Sequence, residues 1–130
     1  MRMNNRFLKL ATSVALQSPA KNYKIGCIVT YKSNVISYAW NDPKKSHPLM
    51  ASYAKRAGYP RIIHLHAEIS ALLKCGENLG DTIYVVRVTK SGKLSMAKPC
   101  PICELAIQEF GIKKVYFSNP NGEIEMFNVD

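Results

Sequence analysis

Two short motifs constrain this chain more than any other feature. They are His66-Ala67-Glu68 and Pro99-Cys100-Pro101-Ile102-Cys103. Each stands where a helical pattern begins, and a β-rich run, Thr82 to Val88, lies between them. His66 to Lys74 reads as a helix stopped by Gly76, and Pro99-Cys100-Pro101 opens another that runs to about Phe110 and closes at Gly111.

Neither motif is decisive alone. His-x-Glu is common by chance, and Cys-x-x-Cys also suits a redox pair or a structural zinc knuckle. Together they supply a complete donor set. Cys100 and Cys103 are three apart, so they share one face of a first helical turn, where backbone N–H groups favour thiolates. A neutral His66 is the third candidate ligand. Three protein ligands leave tetrahedral zinc one position for water, the catalytic pattern rather than the closed structural one. Glu68, two residues from a ligand, is placed to move the water's proton without binding metal. His64 is the alternative fourth ligand, since an extended segment would point it the same way as His66. Cys75 is nine residues beyond His66 and falls on the opposite helix face, and His47 sits in a basic loop.

With 130 residues, 47% of them apolar, the expectation is one domain spanning 1–130 with one core. No run of eighteen apolar residues occurs, so no membrane span is expected. The first ten residues carry Arg2, Arg6 and Lys9 and lack a signal-peptide pattern, which points to a cytoplasmic, reduced protein. In that compartment the close cysteine pair suits metal, and Cys27 and Cys75 suit buried packing.

Arg6 to Leu16 has helical apolar spacing, ended by Ser18-Pro19. Ile25–Tyr31 and Val35–Trp40 read as a hairpin with apolar residues on both faces, hence a sheet covered on both sides. Asn41 to Ile63 reads as a long Pro-, Lys- and Arg-rich connection, with a helical turn at Ala51 to Ala57. Lys113–Phe117 and Glu123–Phe127 flank a turn too short for a parallel crossover, so a C-terminal antiparallel hairpin is predicted. The order is α-ββ-α-β-α-ββ, an α/β chain with helices on the faces of one sheet.

The net charge of +9 is uneven. Residues 1–67 hold eleven Lys or Arg and one acid, whereas residues 68–130 hold seven and eight. A solvated surface and a site for phosphate, on a nucleotide or a polynucleotide, both fit this excess.

The paired motifs, with the element order from Ile25 to about Phe117, resemble the cytidine and deoxycytidylate deaminase superfamily, whose signature is His-x-Glu followed by Pro-Cys-x-x-Cys. The resemblance implies a three-layer α/β/α fold with a five-stranded mixed sheet. It also implies Zn2+ on His66, Cys100 and Cys103, with Glu68 as the catalytic proton shuttle. It places Asn41, with neighbouring Trp40, and Ala67 at the substrate. The histidine ligand resembles the deoxycytidylate, tRNA and polynucleotide branches. The end hairpin resembles the cytidine branch, and the further helix usual in tRNA and polynucleotide deaminases is not expected. Trp40-Asn41-Asp42-Pro43 departs from the glycine-flanked asparagine of many regulated deoxycytidylate deaminases, and the compact chain resembles phage-encoded members.

The expected activity is hydrolytic deamination of a cytosine nucleotide or nucleoside, with dCMP as the preferred substrate. Lys24, Lys44, Lys45, Lys55, Arg56 and Arg61 are candidates to hold phosphate. The alternative is a deaminase of cytosine or adenine in single-stranded DNA or RNA, with Tyr23, Tyr38, Trp40, Tyr53 and Tyr59 available for stacking. A non-catalytic, zinc-stabilised nucleic-acid-binding module is the third reading, which the presence of Glu68 opposes. The resemblance favours a homo-oligomer.

Overall fold

The computed structural model describes residues 5–62, 64–76 and 79–129. In chain order the elements are α1 (Asn5–Ala15), β1 (Tyr23–Tyr31), β2 (Asn34–Trp40), β3 (Asp42–Ser46), α2 (Pro48–Arg56) and β4 (His64–Leu65). They continue with α3 (Ala67–Lys74), β5 (Thr82–Thr89), β6 (Leu94–Ser95), α4 (Pro101–Glu109), β7 (Lys114–Ser118) and β8 (Ile124–Asn128).

The main sheet runs β2-β1-β5-β7-β8, with β6 paired to the end of β5. β5 and β7 are parallel, and the other pairs are antiparallel, including the C-terminal β7–β8 hairpin. This is the mixed five-stranded sheet of the sequence reading, with one short strand added.

Strand alternation divides the core into two layers. Ile28, Tyr84, Val86 and Val88 pack with Phe7, Ala11, Val14 and Ala15 of α1. Cys27, Val29, Ile83 and Val85 point the other way and pack with α2, α3 and α4. Gly26 lets α1 lie directly on β1, because a Cβ there would collide with the backbone of Ala11 and Ala15. On the opposite face, the buried Ser37 hydroxyl donates to the Ala71 carbonyl at 2.6 Å and ties α3 to β2.

The segment after Asn41 departs from expectation. It forms β3, paired with β4, and a full helix α2 instead of a connection with one helical turn. His47 caps α2 by accepting from the Leu49 N–H at 3.0 Å, and Pro48 fills the first turn without loss of a donor. Among the described residues no helix is long and apolar enough to cross a membrane.

Candidate active site

The site is built on the starts of α3 and α4. His66 is the N-cap residue of α3 and Cys100 that of α4, both in extended backbone. An ordinary cap side chain would turn back to its own helix amides. Neither of these does, so both are free to face a shared point. Pro101 begins α4 where its missing N–H costs nothing, and Cys103 follows in the same turn, fully buried.

His66 Nδ1 lies 3.6 Å from Cys100 Sγ and 3.4 Å from Cys103 Sγ, and all three donors fall within 4.8 Å of one another. A tetrahedral zinc with ordinary Zn–N and Zn–S bonds separates such donors by about 3.5 Å. The donor set therefore fits zinc in both chemistry and spacing. His64 stays outside that group: it is exposed, and its ring centroid lies 4.8 Å from that of His66. Cys27 and Cys75 are buried and unpaired elsewhere in the core.

The charges agree with metal binding. Hydrogen bonding from Cys103, and then from His66, outweighs burial and holds the Cys100 thiol down at about 4. Giving that hydrogen bond, together with burial, pushes Cys103 well up. Burial alone would depress His66, but its hydrogen bond to Cys100 and the charges of Glu68 and Cys100 raise it. Glu68, 5% exposed in the first turn of α3, is raised by burial. A bound cation favours the fully deprotonated sulfur pair.

His66, Glu68 and Cys100 line one cavity with Asn41. Asn41 Oδ1 accepts the Ile25 N–H at 2.9 Å and the Ser18 hydroxyl at 2.6 Å. With that oxygen engaged, the amide NH2 is the end left to meet a ligand. Ser18, 2% exposed just beyond α1, thus fixes which way Asn41 points.

The other candidates lie apart. Ala67 is fully buried in the core under α3. Trp40 packs beside the α1 layer with Lys74 over its ring. Lys44 and Lys45 are exposed on β3 and do not line the cavity. Lys24 donates to the Ser18 carbonyl, Arg56 pairs with Glu109 through two contacts of 2.8 Å, and Lys55 and Arg61 are exposed. Of the aromatics, Tyr23 reaches the cavity, Tyr53 is buried beneath Arg56, and Tyr38 and Tyr59 are exposed elsewhere.

Sequence reasoning passed over Arg87, Met96 and Lys98, which form a further wall of the cavity. Arg87 had a readable signal. In the run Ile83-Tyr84-Val85-Val86-Arg87 it shares the parity of Ile83 and Val85, the residues facing α3 and α4. A cation in a row of core positions marks a place where the core gives way to something polar.

Comparison with known proteins agrees with this geometry. The family described as "Cytidine and deoxycytidylate deaminase zinc-binding region" matches residues 1–119. The deoxycytidylate deaminase of Mycobacterium phage D29 is 28% identical over 127 residues, covering 85% of this chain and 90% of that protein. The dCMP deaminase of cyanophage S-TIM5, in apo form, superposes with a TM-score of 0.60 at 24% identity, covering 88% of this chain and 81% of that one. Its complex with dCMP and dUMP gives 0.53 at 20% identity over 91% and 85%. The cytidine deaminase of Mycobacterium leprae gives 0.58 at 22% identity over 95% and 93%. The chain belongs to the zinc-binding cytidine and deoxycytidylate deaminase family, as its fold and its His/Cys/Cys group lead one to expect.

Proposed function

We propose that the chain deaminates a cytosine mononucleotide, converting dCMP and water to dUMP and ammonia, with zinc on His66, Cys100 and Cys103 and with Glu68 as proton shuttle. The observation that carries this reading is the meeting of His66, Cys100 and Cys103 at one point, on a cavity whose lining also includes Glu68 and Asn41. Zinc held by these three donors would supply the Lewis acidity that lowers the pKa of a water toward neutrality. Glu68 would carry the water's two protons in turn, the first to the ring nitrogen and the second, released as the C4 hydroxyl becomes a carbonyl, to the departing amine. The water's oxygen ends as the new carbonyl at C4. Asn41 offers its NH2 to a substrate hydroxyl, held in that orientation by Ser18 and Ile25.

The phage relatives' names support dCMP over a nucleoside. Four unpaired cysteines support a reducing, cytoplasmic setting. The reading takes residues 1–130 as one domain, and the superfamily resemblance supports a homo-oligomer. The test is to incubate the zinc-loaded protein with cytidine, CMP, dCMP, adenosine and single-stranded oligonucleotides and to identify products by mass. Fastest conversion of dCMP to dUMP is expected. Deamination confined to oligonucleotides would replace this reading with the polynucleotide one.

A further inference from the structure

Arg87 is an anomaly that the catalytic reading leaves unused. It lies on β5, opposite Ile25 of β1 and Ser95 of β6, and its side chain lines the cavity that holds Glu68 and His66. Its Nε is shielded from solvent and has no hydrogen-bond partner. Among the described residues its guanidinium takes part in no ion pair. A half-buried cation with a shielded, unpaired donor and no ion-pair partner is unfavourable, so the position is explained best by an anion that comes and goes.

The surroundings suit such an anion. The guanidinium sits over the Tyr23 ring, with Cζ 4.0 Å from the ring centroid. A guanidinium held over a ring still has its N–H fork to bind two oxygens of one group, the geometry that distinguishes Arg from Lys at phosphates. Lys98 lines the same cavity and brings a second positive charge to that wall, its Nζ 5.8 Å from the Phe127 ring centroid. Glu68 is the one carboxylate among the described lining residues, and it does not pair with Arg87. The turn between β5 and β6 lets the chain fold back, so that Met96, Ala97 and Lys98 close the wall beside Arg87.

We infer that Arg87, seconded by Lys98, binds the phosphate monoester of the nucleotide substrate and sets the preference for nucleotide over nucleoside. This rests on the reading above that a cytosine nucleotide is deaminated. It moves the phosphate from the exposed lysines of β3 to the β5–β6 wall. One half-buried fork with one neighbouring cation suits a compact dianion, whereas a strand of nucleic acid needs an extended track.

The experiment compares wild type, Arg87→Met, Arg87→Lys and Lys98→Ala, all zinc-loaded, on dCMP and deoxycytidine. Arg87→Met should lower kcat/KM for dCMP by about 10- to 100-fold, as expected for losing charge-assisted hydrogen bonds. The fall on deoxycytidine should be at least about tenfold smaller, with Arg87→Lys intermediate because it keeps charge without the fork. Equal falls on both substrates, or no fall on dCMP, would overturn the inference. If Arg87→Met fails to fold, the exposed Lys98→Ala carries the same comparison, with a smaller selective loss on dCMP expected. Calorimetry with dUMP and deoxyuridine gives a readout independent of turnover. Wild type should prefer dUMP and Arg87→Met should lose most of that preference. A wild type that turns over neither substrate would defeat the proposed function, while the dUMP preference would still decide the role of Arg87.

Discussion

The basic segment from Asn41 to Ile62 and the cavity at the starts of α3 and α4 both carry positive charge, with different consequences. The segment has five cations, Lys44, Lys45, Lys55, Arg56 and Arg61, all exposed. Arg56 is already matched by Glu109. The cavity has Arg87, half-buried with an unpartnered nitrogen, and Lys98 at its wall. A charge pair at 4 Å is worth about 1 kcal/mol in water and about 4 kcal/mol at the effective dielectric of a protein surface. Site strength therefore follows desolvation and missing partners, not the density of Lys and Arg along the chain.

The comparison predicts few residues with large effects at the cavity and many with small effects in the segment. The largest loss is expected from Cys103→Ala, which removes a fully buried donor from the His66/Cys100/Cys103 group. Metal analysis and rate measurement should show zinc and turnover lost together. A folded Cys103→Ala protein that keeps about one zinc per chain would contradict the three-donor arrangement.

This division also marks what the sequence makes legible. His66 and Cys100 were readable because a motif at a helix start combines local chemistry with local geometry, and each is indeed an N-cap residue. The C-terminal hairpin was readable because Asn119 to Gly122 leaves no length for a parallel crossover. α2 was not. Its cap is His47, an uncommon choice, and only three of its nine residues are buried, so its apolar pattern is thin. β3 carries Pro43, which argues against a strand, and β6 is two residues long. Both exist through pairing with distant chain, β4 and β5 respectively. Arg87 was hidden for the same reason. Its parity could be read, but that the row ends at a cavity depends on where α3 and α4 stop.

The smallest effect is expected in the segment. Replacing Lys44 and Lys45 together by Ala should change kcat/KM for dCMP by less than about twofold, with shallow dependence on salt, because exposed charges are well screened. A large loss with a steep salt slope would erase the contrast between the two regions and restore the exposed lysines as a phosphate or polynucleotide track.

The most direct test of the central claim is zinc content and dCMP turnover measured on the same preparation of Glu68→Gln. Glu68 lines the cavity but lies outside the donor group. The variant should fold, hold about one zinc per chain and lose at least the ~10²–10⁴-fold typical of a general acid–base group. Near-wild-type turnover with zinc in place would contradict Glu68 as the proton shuttle, and loss of the zinc would contradict its exclusion from the metal's ligands.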